Sequence, residues 1–185
     1  MRSSLVLLSG LAVALVSVPA PAQNPEHARS LAPYVQSPPQ VVEKMLEAAE
    51  VKPNEVVYDL GSGDGRVLIT AAKEFKARAV GVEISPKLVK EADERIHAEG
   101  LDKRVRVILG DAMKVDLSDA DVVVMYLLTS SNELLRPNLE KYLRPGARVV
   151  SHDFEIRGWN PVKVLREEAY GRVHRIFVYR MPASK

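Results

Sequence analysis

Short apolar runs alternate with amphipathic stretches along the chain after Pro53. Short runs rich in Val, Ile and Leu are typical of buried strands, and apolar residues at helical spacing are typical of helices. Strands that alternate with helices predict an α/β domain whose mainly parallel sheet has helices on both faces. The predicted strands are residues 56–60, 79–84, 105–109, 121–127 and 148–153, and the predicted helices begin at Val41, near Gly65, after Ser85-Pro86 and near Ser131.

The C-terminal part of the chain breaks this alternation. Residues 162–166 and 173–180 both have the pattern of a strand, with only residues 167–172 between them. That connection is too short for a right-handed helical crossover, so the two strands should pair antiparallel. A parallel sheet that ends in an antiparallel hairpin differs from the dinucleotide-binding topology. The sequence shows no internal repeat and no second domain.

The first 22 residues have the layout of a secretory signal peptide. Arg2 gives a positive start, residues 5–18 are mainly apolar, and Ala20-Pro21-Ala22 supplies small residues for cleavage. The apolar stretch is short for a membrane span, which needs about 20 residues. We therefore expect an exported protein, periplasmic or secreted, or alternatively one that stays anchored to the membrane through residues 5–22.

The rest of the chain has the composition of one globular domain. Residues 23–40 contain four prolines and predict an extended lead-in to a domain over residues 41–185. With 26 basic and 24 acidic residues the net charge is only +2, which gives no global reason to expect a nucleic-acid binder. The chain has no cysteine, which excludes a thiol nucleophile, a disulfide and a cysteine metal site, and we predict no metal.

The segment Asp-Leu-Gly-Ser-Gly-Asp-Gly-Arg at 59–66 follows the first predicted strand. Ligands of open parallel sheets bind outside the carboxyl ends of the strands, which is where this segment lies. Gly61, Gly63 and Gly65 allow backbone torsions and a close approach that side chains would forbid. The helix that follows offers free N–H groups to a polar ligand.

Three classes of ligand use glycine loops of this kind. A triphosphate site needs G-x-x-x-x-G-K-[ST], which is absent, and a dinucleotide site needs G-x-G-x-x-G, whereas here the third glycine comes one residue early. Asp59 and Asp64 would also repel a pyrophosphate but suit a ligand with a free ammonium. S-adenosylmethionine is such a ligand, cationic at both its amine and its sulfonium. The loop therefore favours this cofactor.

Two further acids stand at the ends of the next two predicted strands. Glu83 can accept hydrogen bonds from both ribose hydroxyls, and Asp111, in Gly110-Asp111-Ala112, is placed for the adenine amino group. One such acid alone is usually a solvated loop carboxylate. Acids that end three consecutive strands predict a cofactor site.

On these segments the sequence resembles the class I, seven-strand methyltransferases. The matching strings are DLGSGDGR at 59–66, VGVEI at 80–84, LGDA at 109–112 and VVVMYL at 122–127, and the resemblance covers residues 34–181. It implies a Rossmann-like sheet of strand order 3-2-1-4-5-7-6 with strand seven antiparallel. The residues expected to bind the cofactor are Tyr34, Asp59, Gly61, Ser62, Gly63, Glu83, Asp111 and Ala112.

The stretch after the fourth predicted strand bears on the methyl acceptor. It contains no Asn-Pro-Pro-Tyr, which argues against the usual methylation of adenine or glutamine amides. Tyr126 and Asn132 are the polar residues best placed to line a small pocket. A packed core tyrosine and an asparagine at the start of a helix are equally good interpretations of these two residues.

More specifically, the chain resembles the lysine methyltransferases of the mitochondrial ATP synthase c subunit and adenine nucleotide translocase, with their bacterial relatives. The shared strings include Pro33-Tyr34-Val35, residues 135–154 and Gly158-Trp159. The resemblance implies a protein-lysine acceptor, with Tyr34 and Val35 closing over the cofactor and Tyr126, Asn132 and His152 lining the acceptor side. The alternatives are a small-molecule methyltransferase and a non-catalytic cofactor-binding protein of the same fold.

One hypothesis is that His152 is a catalytic base and that Asp153 orients it. Adjacent residues on a strand point to opposite faces, which predicts that these two do not act as a pair. His152 is then at least as well explained as a structural residue at a strand end. Trp159 we expect to cap the core rather than to stack on a cation.

Overall fold

A seven-stranded sheet forms the centre of the protein in a computed structural model that describes residues 30–182. The strands are β1 (Val56–Leu60), β2 (Arg78–Glu83), β3 (Val105–Leu109), β4 (Val122–Met125), β5 (Arg148–His152), β6 (Lys163–Ala169) and β7 (Arg172–Arg180). The helices are α1 (Pro39–Ala48), α2 (Arg66–Glu74), α3 (Pro86–Ala98) and α4 (Thr129–Tyr142), with a 3₁₀ turn at Ala112–Lys114.

The strand order is β3-β2-β1-β4-β5-β7-β6, as the resemblance implied. Strands β1 to β5 pair in parallel, and β7 is antiparallel to both β5 and β6. The hairpin is tighter than predicted, because only Tyr170 and Gly171 separate β6 from β7. Both have positive φ, at 50° and 74°, which matches the twist of the flanking strands in a two-residue hairpin. The predicted connection at 167–172 was therefore too long.

Both faces of the sheet are buried. Val57 and Val124 point into a cluster that includes residues of α1, α2 and α3, whereas Tyr58 and Met125 point into a second cluster with α4. A branched apolar side chain contributes about 1.5–3 kcal/mol when it is fully buried, so these two clusters account for much of the stability. The prediction of helices on both faces is confirmed.

Several predicted boundaries were wrong by a few residues. Helix α1 begins at Pro39 rather than Val41, because proline suits the first position of a helix. Strand β4 is Val122–Met125 rather than 121–127. Ser85 stands at the N-cap of α3, but within the described residues its side chain makes no capping hydrogen bond.

The signal-peptide prediction for residues 1–22 lies outside the described residues and stays a prediction. Within residues 30–182, no helix is both long enough and apolar enough to span a membrane.

Candidate active site

A cavity of about 560 Å³ opens at the carboxyl ends of β1, β2 and β4 and is also lined by residues 30–37. This volume lies within the range of about 300–1,000 Å³ that is usual for small-molecule sites. The structure brings all eight residues expected to bind the cofactor to the wall of this one cavity: Tyr34, Asp59, Gly61, Ser62, Gly63, Glu83, Asp111 and Ala112.

The glycine loop is tied to the neighbouring strand β2. The amides of Gly61 and Ser62 donate to the Val82 carbonyl at 2.8 and 3.2 Å. Gly63 has φ +53°, and a Cβ there would lie 2.5 Å from a ring carbon of Tyr34. Glycine is therefore strongly favoured at this position, since any side chain there would be strained and would displace the Tyr34 ring from the loop backbone.

The carboxylate of Glu83 is fixed from two sides. Its Oε2 accepts from the Gly63 amide and its Oε1 from the Ser85 amide, both at 2.9 Å. Each carboxylate oxygen has a further lone pair, so the buried group can still accept two hydroxyl donors from a ligand. The Ser85 amide was not predicted as part of the site, because the sequence indicated only that a helix begins after Ser85-Pro86.

Asp59 is a buried carboxyl close to other acids. Burial, together with the charges of Glu83 and Asp64, raises the pKa of Asp59 to about 8. A cationic ligand beside it would favour the ionised form and lower that pKa again. The site thus favours a positively charged ligand at this position.

Asp64 has a different role from the one its sequence position suggested. It pairs with Arg66 at 2.8 Å and with Arg95 at 2.6 Å, so its carboxylate is not free for a ligand ammonium. Burial alone would raise the pKa of Asp64, but the hydrogen bonds and charges of the two arginines lower it below its usual range. Arg66 also donates to the Ser37 carbonyl at 2.8 Å, which ties the N-terminal segment to the loop.

Asp111 and Ser62 both line the cavity, and each also lies against a neighbouring part of the protein. Oδ1 of Asp111 accepts from the Met113 amide at 3.0 Å and caps the 3₁₀ turn. The Ser62 hydroxyl lies against β2, where a Cβ on Gly81 would be only 2.5 Å from it. It is buried with no hydrogen-bond partner among the described residues.

The three residues expected on the acceptor side separate in the structure. Tyr126 lines the cavity just beyond β4, whereas Asn132 and His152 are completely buried and fall outside the lining, as far as the described residues show. Asn132 lies in the first turn of α4, which begins at Thr129. Its side-chain Nδ2 donates to the Ser151 hydroxyl and to the Phe154 carbonyl, both at 3.1 Å. In this structure Asn132 therefore holds the chain after β5.

His152 lies behind the Tyr126 ring, with 3.8 Å between ring centroids. Its Nδ1 is 2.9 Å from the Ser37 hydroxyl, and its Nε2 is 2.8 Å from Nδ1 of His174. Burial lowers the pKa of His152 to about 4, so the ring is neutral at neutral pH. Sequence reasoning missed His174, because only the pairing of β5 with β7 brings it here.

The prediction that His152 and Asp153 point to opposite faces was wrong. Alternation holds for extended backbone, but Asp153 lies beyond the end of β5 with φ +62°. Its Oδ2 consequently lies 3.5 Å from Nε2 of His152 and 3.3 Å from Nδ1 of His174. These three side chains are close enough to hold a metal ion, but the Arg172 guanidinium already contacts Asp153 and supplies the positive charge there.

Trp159 packs at the edge of the core, as expected. Its ring meets the ring of Tyr179 edge-on at 5.7 Å, and its Nε1 donates to Glu140 at 2.9 Å.

The sheet topology and the acids at the ends of β1, β2 and β3 together define an S-adenosylmethionine-dependent methyltransferase of class I. Glu83 can take the ribose hydroxyls and Asp59 can face a cationic group, so the residues present fit this cofactor. The chain matches the model of the ANTKMT methyltransferase domain over residues 59–163, more than half its length, and it belongs to this family.

The chain is similar to three proteins of known class. A protein-lysine N-methyltransferase of Saccharolobus islandicus is 51% identical over 80% of this chain and 92% of its own. The adenine nucleotide translocase lysine N-methyltransferase of Mus musculus is 39% identical over 73% of this chain and 58% of its own. The crystal structure of an RNA methyltransferase from Salinibacter ruber with S-adenosyl-L-homocysteine has a TM-score of 0.76 and 42% identity, covering 82% of this chain and 96% of that one.

Proposed function

We propose that the protein transfers the methyl group of S-adenosylmethionine to the side-chain amine of a protein lysine. The observation that carries the proposal is the 51% identity to the archaeal protein-lysine N-methyltransferase across 92% of that enzyme. The mouse relative is likewise named for a lysine acceptor.

The residues of the cavity can hold and orient the cofactor. Glu83, fixed by two backbone amides, would accept the ribose hydroxyls, and Asp59 would face a cationic group of the cofactor. The bound cofactor supplies a methyl on a sulfonium, so the amine lone pair forms the N–C bond while the C–S electron pair stays on sulfur. The protein chiefly positions the reactants for this displacement.

A lysine acceptor must lose a proton before it can attack, because its pKa is about 10.4 in water. The wall beside Tyr126 is apolar, with Val124, Leu127 and Leu128 lining the cavity. An apolar wall and a nearby sulfonium both disfavour the ammonium form and lower the lysine pKa. This part of the cavity therefore suits the neutral amine.

A second acceptor class follows from the relative in Salinibacter ruber, which is described as an RNA methyltransferase. The net charge of +2 gives this chain little general attraction for nucleic acid. A small-molecule acceptor is the remaining alternative. We favour lysine on the closer sequence similarity.

Radiolabelled cofactor distinguishes these acceptors. The protein is incubated with methyl-labelled S-adenosylmethionine and separate protein, RNA and small-molecule fractions of cells, and we expect label that acid hydrolysis releases as methyl-lysine. Label found only in nucleosides or small molecules would contradict the proposal. Glu83→Ala should abolish labelling. Glu55→Gln is the matched control. Glu55 is a mostly buried carboxylate that pairs with Arg148 at the amino ends of the strands, away from the cavity.

Export of the enzyme is proposed on the pattern of residues 1–22 alone. A fusion of the full chain to a reporter that is active only outside the cytosol should be active. The same fusion without residues 2–22 should be silent, and equal activity of the two fusions would contradict export.

A further inference from the structure

The side chains of Tyr126 and Asp153 meet at the carboxyl ends of β4 and β5. Strand β1 separates this place from Glu83 on β2, so the pair lies on the other side of the glycine loop from Glu83. The Tyr126 hydroxyl lies 3.4 Å from Oδ2 of Asp153, and Tyr126 itself lines the cavity.

The Asp153 carboxylate is held rigidly. The backbone amide of Asp153 donates to the Arg175 carbonyl at 2.7 Å, and Oδ1 of its side chain accepts from the Arg175 amide at 2.8 Å. The chain adopts φ +62° here, a conformation that non-glycine residues rarely keep unless the surroundings impose it. Such residues cluster at functional sites, so this departure from the strand points to a use for the carboxylate.

The carboxylate fixes the direction of the Tyr126 hydroxyl. Burial would raise the pKa of Asp153, but the hydrogen bond from the Arg175 amide and the charge of Arg172 help to lower it below its usual range. An ionised carboxylate only accepts hydrogen bonds, so the Tyr126 hydroxyl must donate to it. Burial and the Asp153 charge raise the pKa of Tyr126 and outweigh the opposing effect of Arg172, so Tyr126 stays a neutral phenol whose oxygen can also accept hydrogen bonds.

Asp153 has little capacity left for a direct contact with substrate. Its Oδ2 is shared by the Tyr126 hydroxyl, by His174 Nδ1 at 3.3 Å and by the Arg172 guanidinium. Arg172 also lies against the Tyr126 hydroxyl, and its side chain is 56% exposed. Among the described residues Tyr126 lines the cavity and Asp153 does not, so we expect an incoming amine to contact the Tyr126 oxygen rather than the carboxylate.

We infer that the Tyr126 hydroxyl is the subsite for the acceptor amine and that Asp153 is a positioning residue that acts through it. A neutral amine donates one N–H to the Tyr126 oxygen, which leaves its own lone pair to point at the methyl group. His152 supports the ring from behind by stacking. The inference rests on the proposed lysine methyltransferase function and names the group that orients its substrate.

A double-mutant cycle tests this arrangement. Tyr126→Phe, Asp153→Asn, the double variant and the Glu55→Gln control are assayed for methyl-lysine formation on the protein fraction at saturating cofactor. We expect each of the two single variants at Tyr126 and Asp153 to lower the maximal rate by roughly tenfold or more. Because Asp153 acts through Tyr126, the double variant should lose no more than Tyr126→Phe alone.

Calorimetric titration with S-adenosylmethionine separates this inference from a structural role and from failure of the proposed function. The affinity of the two variants should stay within about twofold of the unmutated protein, and Asp153→Glu should recover part of the rate. Additive losses in the double variant, or an unchanged rate in Tyr126→Phe, would overturn the inference. Tyr126→Phe removes a single oxygen, so it remains informative if Asp153→Asn folds poorly. An unmutated protein that binds no cofactor would instead refute the proposed function.

Discussion

The amide of Gly63 donates a 2.9 Å hydrogen bond to Oε2 of Glu83, which joins the glycine loop to the end of β2. Glu83→Ala removes this bond, the bond from Ser85 and the acceptors for two ligand hydroxyls. Hydrogen bonds to charged groups contribute about 1.5–3 kcal/mol each, so cofactor affinity should fall by roughly 100-fold or more. Calorimetry measures the change. Glu83→Gln keeps one acceptor oxygen and should lose less, and a loss below about tenfold in Glu83→Ala would contradict this account.

The contact between Gly63 and Tyr34 gives a second prediction. Gly63→Ala places a Cβ 2.5 Å from a ring carbon of Tyr34 and imposes φ +53° on a residue with a side chain. We expect the free energy of unfolding to fall by about 1–3 kcal/mol in urea denaturation, and cofactor affinity to fall with it. Gly63→Ala combined with Tyr34→Ala should regain only the part due to the clash. A complete recovery would show that the backbone conformation carries no strain.

Asp59 should release a proton when the cofactor binds. Its pKa of about 8 in the free protein means that most molecules carry the proton at pH 7, and a neighbouring cation favours the ionised form. Affinity should therefore rise with pH between about 6 and 8 and level off above that range. Calorimetry in two buffers of different ionisation enthalpy measures the proton directly.

Asp59→Asn is the control for this linkage, because it cannot ionise. Proton release that persists in Asp59→Asn would assign the proton to another group. S-adenosylhomocysteine, which keeps the amine but lacks the sulfonium, identifies the cation. Equal proton release with both ligands indicates the amine, and release with S-adenosylmethionine alone indicates the sulfonium.

The sheet and the meeting of the three strand-end acids at one cavity could be predicted because their signals are local. The alternation of short apolar runs with helices fixes the parallel sheet, and the short hairpin connection fixes its antiparallel end. The acids Asp59, Glu83 and Asp111 each end a strand. Since parallel strands present their carboxyl ends at one edge of the sheet, local position was enough to bring these acids together.

Tyr126 was expected beside the cavity, but the surroundings of Asp64 and His152 could not be predicted, because they depend on long-range pairing and on one backbone torsion. Arg95, 31 residues after Asp64, neutralises that aspartate, and His174 reaches His152 only through the pairing of β7 with β5. The positive φ of Asp153 reversed the direction predicted from strand alternation. No pattern in the sequence signals any of these three features.

Asn132 is predicted to act on stability rather than on catalysis. Its side chain donates to the Ser151 hydroxyl and the Phe154 carbonyl, so Asn132→Leu should lower the free energy of unfolding by about 1–3 kcal/mol. Cofactor affinity should change less than about twofold. Asn138→Leu is the matched control, because Asn138 lies on the same helix as Asn132. It removes one 3.0 Å hydrogen bond to the Met113 carbonyl and should lower the stability less. Full stability with lost methyl transfer in Asn132→Leu would restore an acceptor role.

The buried ring of His152 should make the protein less stable in mild acid. Its pKa is about 4 in the folded state against about 6.5 when unfolded, because burial and the charges of His174 and Arg172 outweigh the attraction of Asp153. The unfolded state therefore binds the proton more readily, and the free energy of unfolding should fall as the pH drops from about 6.5 to about 4. The loss is at most about 3.4 kcal/mol, at about 1.36 kcal/mol for each pKa unit.

Urea unfolding at intervals between pH 4 and pH 7 measures this slope. His152→Gln should flatten it, whereas substitution of the exposed His97 by Gln should leave it unchanged, since His97 has only Asp102 as a partner among the described residues. Asp153 affects stability only at lower pH. Its pKa is lowered in the folded state, so its stabilising contribution is lost only as the pH falls below about 4. An unchanged slope in His152→Gln would show that another buried group takes up the proton. His152 would then not be the cause of the acid sensitivity.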